Sequence, residues 1–206
     1  MIKQGSIEWF KMKAGKFSAS NMGNLTAGGQ GITRKKYLYK IACERISGEY
    51  IHTHKTADME RGNELESVAR QAYQELTMEP VETAEFVIHP DIPYAGASPD
   101  GYVGDDGLIE IKTRAYHIQL DFILGKQGIS GANMKQMQFQ MACTGRDWCD
   151  YVSYSSEVPK NQKICIVRVK RSDEEIKQLE GAVRRANDEV EEIVKALKEE
   201  SCKLQK

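Results

Sequence analysis

A chain of 206 residues, 40% hydrophobic and 29% charged, has the length and composition of one globular domain spanning 1–206 with a substantial buried core. A net charge of −1 excludes a general polyanion binder, so any nucleic acid it handles must meet positive charge gathered on one face. No apolar run approaches the roughly 18 residues of a membrane span, and Met1-Ile2-Lys3-Gln4-Gly5 lacks the apolar centre of a signal peptide. The five cysteines (Cys43, Cys143, Cys149, Cys165, Cys202) are odd in number and form no CxxC, which predicts reduced thiols in a cytoplasmic protein. His52 and His54 have no second pair nearby and read as loop residues.

Residues 6–14, SIEWFKMKA, predict a short helix stopped by Gly15, with Trp9 and Phe10 as core anchors. Ser18-Ala19-Ser20 offers a cap for a second short helix through Met22 and Leu25. Lys11, Lys13 and Lys16 beside those hydroxyl residues suit a terminal phosphate, although the same segment also reads as an amphipathic lid. Gly28-Gly29-Gln30-Gly31 is a flexible break without the GK[ST] of a phosphate loop. Thr33 is placed to cap a helix over 34–47 with Leu38, Ile41, Ala42 and Ile46 as its apolar stripe. Its basic start, Arg34-Lys35-Lys36, is either a solvated helix end or a DNA contact. A longer helix over 57–76 offers Met59, Leu65, Ala69, Ala72, Tyr73 and Leu76 to a core, and Gly62 inside it hints at close packing. Glu64 and Glu66 lie two apart, so at most one of them looks into a common site. Residues 80–89 predict a strand ended by Pro90.

Ile92 to Ala97 leads into the most informative stretch, GASPDGYVGDDGLIEIKTR, from Gly96 to Arg114. Tyr102-Val103 and Leu108 to Lys112 read as the strands of a hairpin, and Asp105-Asp106-Gly107 as its turn, with glycine supplying φ > 0. Alternation places Ile109 and Ile111 on one face and Glu110 with Lys112 on the other, and strand twist can carry Asp100 across to Glu110. Two carboxylates suit a hard divalent cation such as Mg²⁺, which keeps waters and leaves positions for a phosphate. A lysine beside them can orient a water or neutralise charge on phosphorus, so the set points to metal-dependent phosphodiester hydrolysis. The same letters also occur in ordinary turns and half-solvated strands.

Residues 115–124 are helical in pattern, Gly125, Gly128 and Gly131 interrupt, and a helix over 132–143 follows. Gln136 and Gln140 fall one turn apart with Gln138 on a different face, and these amides are either core hydrogen-bonders or DNA and water contacts. Strands over 150–155 and 164–169 flank a loop with Lys160-Asn161-Gln162-Lys163, another backbone-contact candidate. The last helix opens on the capping box Ser172-Asp173-Glu174-Glu175. Its stripe of Ile176, Leu179, Val183, Ala186, Val190, Ile193 and Leu197 docks on the parent domain or on another subunit. The element order gives an α/β domain, a mixed β-sheet flanked by α-helices.

Ser98-Pro99-Asp100-Gly101 with Glu110-Ile111-Lys112 resembles the active-site signature of the PD-(D/E)xK nucleases, and within them the phage lambda exonuclease and YqaJ-type recombinase family. Three further segments are similar in the right order: Trp9 to Ser20, Glu60-Arg61-Gly62-Asn63-Glu64-Leu65-Glu66, and Gln136-Met137-Gln138. The resemblance covers about residues 9 to 155. It implies a restriction-endonuclease-like fold and an enzyme that digests one strand of duplex DNA from its 5′ end with Mg²⁺, for which Mn²⁺ can substitute. By the match, Asp100, Glu110 and the Ile111 carbonyl bind metal, Lys112 orients the nucleophile, Glu66 completes the acidic set and Gln138 supports water or phosphate. By the same match Lys13 and Ser20 would hold the 5′-phosphate, and Arg114 would contact DNA. Lys13 departs from the arginine of the family, replacing a bidentate grip by a point charge. The resemblance also implies a ring-shaped homotrimer and a single-strand annealing partner.

Basic clusters at Lys11–Lys16, Arg34–Lys36 and Arg168–Arg171 would let a channel be positive while the outside is not. An iron–sulfur nuclease on the same fold would need four suitably set cysteines, and Cys143, Cys149 and Cys165 lack the close spacing. An inactive, DNA-binding version of the fold would be expected to have lost Asp100, Glu110 or Lys112, and all three are present.

Overall fold

A computed structural model describes residues 4–27, 31–52 and 57–204, with the backbone alone for 57–64 and 201–204. Ser6 caps α1 (Ile7–Lys13) by accepting from the Trp9 N–H, and the helix stops at Gly15, whose φ of +70° suits glycine. β1 (Phe17–Ser18), a 3₁₀ turn and α2 (Met22–Leu25) follow. α3 (Ile32–Ser47) starts after Gly31, earlier than the Thr33 cap predicted; it buries Leu38, Ile41 and Ala42 but leaves Ile46 exposed. α4 (Ala57–Thr77) buries Ala69 and Tyr73, while Leu76 faces solvent. The expectations for Met59, Gly62 and Glu64 lie outside the described side chains, and those for Gly28 to Gln30 and His54 outside the described residues.

The strand predicted over 80–89 is two strands in two sheets. β2 (Val81–Glu82) pairs with β5 (Gly101–Val103), whereas β3 (Val87–His89) pairs with β4 (Ile92–Ala97). Burial of Ala84 and Phe86 between them anchors the chain as it crosses. A small sheet has the order β1-β4-β3, with β1 and β4 parallel. The large sheet has the order β2-β5-β6-β7-β8, where β6 is Gly107–Thr113, β7 is Trp148–Tyr154 and β8 is Ile164–Lys170. β6 and β7 run parallel, so the chain needs a long crossover, supplied by α5 (Tyr116–Ile123) and α6 (Gly131–Thr144). The sheet is therefore mixed, as the sequence indicates.

Alternation along β6 decides what each face meets. Ile109 and Ile111 pack with Ala69 and Tyr73 of α4, while Leu108 packs with Met137 and Met141 of α6. The residue with positive φ in the β5–β6 turn is Gly104, not Gly107; the Trp148 indole occupies the space where a Cβ on Gly107 would stand. The last helix, α7 (Asp173–Leu204), lays Leu179, Val183, Ala186 and Val190 into the core formed with α2 and α3, so its seam docks within the chain. Leu197, at the end of the predicted stripe, is exposed.

In two of the basic clusters the arginines are paired within the chain. Arg34 makes a two-pronged bond to Glu189 at 2.7 and 2.8 Å, Arg168 grips Asp150, and Arg171 pairs with Asp173 at 2.7 Å. Arg34 thus ties the start of α3 to α7, while Lys35, Lys36 and Lys170 of these clusters stay exposed. Among the described residues, no helix is long and apolar enough to cross a membrane.

Candidate active site

The β5–β6 hairpin brings the predicted trio together by backbone pairing. The Asp100 N–H donates to the Ile109 carbonyl at 3.2 Å, and the Ile111 N–H donates to Asp100 Oδ2 at 2.6 Å. That second bond folds the Asp100 carboxylate over β6 beside Glu110. Glu110 is 2% exposed, and its charge is held by three donors. Lys112 Nζ and Gln136 Nε2 reach Oε1 at 2.5 and 2.7 Å, and Gln140 Nε2 reaches Oε2 at 2.7 Å.

A cavity of about 340 Å³ opens over these groups, lined by Glu66, Asp100, Glu110, Ile111 and Lys112. Its opposite wall is Trp9, Lys13, Ser18 and Ser20. Of two larger cavities beside α7, the one of about 830 Å³ has a single carboxylate in its lining, Glu175, and in the one of about 930 Å³ Glu189 is taken by Arg34.

The electrostatics of the cavity are those of a site short of positive charge. Burial pushes the Asp100 carboxyl well above the usual carboxylate range, and Glu110 and Glu66 add to the shift. Glu66 is raised by burial and by Glu110, against the pull of Arg70, which it meets at 2.6 Å. Burial works against the Lys112 ammonium, yet Glu110 and Asp100 hold its pKa above the ordinary lysine value. A divalent cation would relieve this negative excess, and the oxygens of Asp100, Glu110 and the Ile111 carbonyl are a donor set of the hard kind such ions take. Among the described residues, no three His, Cys, Asp or Glu side chains form one ion-binding group. Glu66 lines the same cavity while paired with Arg70, and water and phosphate would complete the coordination of an ion held there.

Gln138 is not in the cavity. Its amide donates to the Lys170 carbonyl at 2.8 Å and accepts from the Ser172 N–H at 2.9 Å, fastening the β8–α7 junction. The reason is helical geometry: residues 136 and 140 share the face toward Glu110, and 138 looks away. The expected role for Gln138 is corrected accordingly, and the amides at Glu110 are Gln136 and Gln140. Gln138→Ala should lower the thermal midpoint, by about 2–4 °C for each kcal/mol lost, and leave turnover per folded molecule unchanged. Gln140→Leu should lower metal affinity or activity about 10–100-fold, measured by metal titration and by rate.

Lys13 lies over the Trp9 ring, 4.1 Å from its centre, and the Trp9 indole N–H reaches Ser98 Oγ at 3.2 Å. Burial and the nearby Lys40 lower its pKa to about 8, against the attraction of Glu44. Ser20 is exposed, its hydroxyl 3.2 Å from that of Ser18. Arg114 lies outside the cavity lining, its guanidinium on the Tyr151 hydroxyl and its N–H on the Tyr154 carbonyl at 2.7 Å. The described cysteines are dispersed: Cys43 is exposed, Cys143 and Cys149 are buried, and Cys165 is half-buried. His52 packs edge-on against Phe10, with ring centres 4.5 Å apart.

Residues 8–147 match the family of YqaJ-like viral recombinase domains. Over 97% of its length the chain is 37% identical to all of an alkaline exonuclease from Laribacter hongkongensis, LHK-Exo, with a TM-score of 0.88. The structure of that protein in complex with dAMP matches at the same identity and coverage, with a TM-score of 0.89. A phage-related exonuclease from Haemophilus somnus 129PT shares the fold at 17% identity and a TM-score of 0.73, over 88% of this chain and 96% of that one. No curated protein matches. On the family match and the LHK-Exo likeness together, the chain belongs to the YqaJ-like viral recombinase family, a DNA nuclease on the restriction-endonuclease-like fold.

Proposed function

We propose that this nuclease is a Mg²⁺-dependent exonuclease that removes nucleotides from the 5′ ends of linear duplex DNA and leaves 3′ single strands for annealing. The observation that carries the reading is that one cavity holds both the carboxylate–lysine group and, across from it, Lys13 with Ser18 and Ser20. Duplex ends ordinarily carry a phosphate at the 5′ terminus and a hydroxyl at the 3′ terminus. A cationic, hydroxyl-lined wall therefore suits the 5′ end. The likeness to an alkaline exonuclease, also known in complex with dAMP, supports a nuclease that works from DNA ends.

Asp100, Glu110 and the Ile111 carbonyl would hold the metal, which would supply charge neutralisation at the scissile phosphate and a water of lowered pKa. Lys112, fixed by Glu110, places its ammonium where charge develops on phosphorus and orients the attacking water. Gln136 and Gln140 hold the Glu110 carboxylate in one orientation. Lys13 and Ser20 hold the terminal phosphate so that the first internucleotide bond lies over Asp100 and Glu110. Arg114, an annealing protein and a homotrimeric ring belong to the same reading, which rests for them on the family alone.

With Mg²⁺ the protein should degrade linear duplex, spare covalently closed circles, and release 5′ label before 3′ label. Degradation that persists in excess EDTA would remove the metal from the account. The end preference should depend on pH. Lys13 is protonated below about 8, so the ratio of kcat/KM on 5′-phosphate over 5′-hydroxyl ends should be highest there and fade as pH rises past that value. Lys13→Arg should carry the preference to higher pH; a ratio flat from pH 7 to 9.5 in the parent would release Lys13 from the phosphate.

A further inference from the structure

Helix α3 reaches the stretch from Gly15 to Ser18 through three side chains, none of which lines the active-site cavity. Glu44 is 1% exposed, and its Oε2 accepts the Gly15 N–H at 2.9 Å. Arg45 Nε donates to the Gly15 carbonyl at 2.9 Å, so both sides of this one residue are gripped. A Cβ on Gly15 would stand 2.8 Å from Arg45 Cγ, which leaves the turn no other residue at that place. About two helical turns before Glu44, the Tyr37 hydroxyl accepts the Ser18 N–H at 3.0 Å. Ser18 Oγ in turn meets Ser20 Oγ at 3.2 Å and accepts from Asn21 Nδ2 at 3.0 Å.

We propose that Glu44 and Tyr37 are positioning residues for recognition of the terminal phosphate, fixing the turn that presents Lys13, Ser18 and Ser20. The inference rests on the reading that Lys13 and Ser20 hold that phosphate. A carboxylate as buried as Glu44 is costly to keep, and packing alone would be served by an apolar side chain. Its charge has a use at this place. Lys40, 3.6 Å from Glu44, repels the Lys13 ammonium, and Glu44 attracts it. Glu44 thus holds the backbone of the turn, and its negative charge steadies two neighbouring lysines until an anion arrives. Tyr37 holds the other end, where the serine hydroxyls must point into the cavity.

The test compares kcat and KM on one duplex carrying 5′-phosphate or 5′-hydroxyl ends, for the parent, Tyr37→Phe and Glu44→Gln. Each variant should lower the phosphate-to-hydroxyl ratio about fivefold, the change lying in KM, whereas loss of folded protein would lower both rates alike. Tyr37→Phe removes a single oxygen and decides the matter if Glu44→Gln fails to fold. A parent ratio near one would overturn the phosphate reading and this inference with it. A clear parent ratio that both variants retain would overturn this inference alone.

Discussion

Asp100→Asn should abolish DNA degradation, by about 10³-fold or more, and at the same time make the metal-free protein more stable. The two effects have one cause. Burial and the neighbouring carboxylates hold the Asp100 carboxyl well above its ordinary range, so the folded protein keeps that proton to higher pH than the unfolded chain does. Ionised Asp100 therefore opposes folding, increasingly as pH climbs from the ordinary carboxyl range through the raised value. Asparagine keeps the shape, can still accept from the Ile111 N–H, and carries no charge to confine. The thermal midpoint at neutral pH without metal should rise, about 2–4 °C for each kcal/mol relieved, and the further rise that Mg²⁺ gives the parent should vanish. Calorimetry with and without Mg²⁺ reads both. A variant as active as the parent, or one that Mg²⁺ stabilises equally, would place the ion elsewhere.

Lys112→Met should separate chemistry from metal binding. Its ammonium bonds Glu110 Oε1, which Gln136 also reaches, so the carboxylate keeps its orientation when the lysine goes. Turnover on linear duplex should fall roughly 10²–10³-fold, as expected when a donor aimed at developing charge is removed. Mg²⁺ should still raise the thermal midpoint, and more than in the parent, because a cation then fills a pocket of carboxylates with no competing ammonium. Loss of metal-induced stabilisation in this variant would make Lys112 a keeper of the metal site rather than a participant in hydrolysis.

What the sequence made legible was local. Alternation along 108–112 assigns Glu110 and Lys112 to one face, and the three-four spacing of Leu179, Val183, Ala186 and Val190 predicts a docked helix. What it left hidden depends on partners far along the chain. The amide triplet shows that 136 and 140 share a face, but only the packing of α6 on the sheet decides that this face meets Glu110. Arg34 and Arg168 look free in the sequence because Glu189 and Asp150 lie well away from them in it. Gly107 looks like the turn glycine because nothing local announces the Trp148 ring that requires it. The break of 80–89 into two strands was likewise invisible, since its halves have different partners in different sheets.

The short parallel pairing of β1 with β4 sets Phe17 opposite Ala95 and Ser18 opposite Gly96. It ties the wall bearing Lys13 and Ser20 to the chain that reaches Asp100 four residues later. If a strand terminus rests against the first wall and is cut at the second, the gap between them acts as a molecular ruler, and backbone pairing rather than any flexible arm sets its length. The size of the released fragment is then a property of the scaffold. Chromatography of the digestion products reads that size directly.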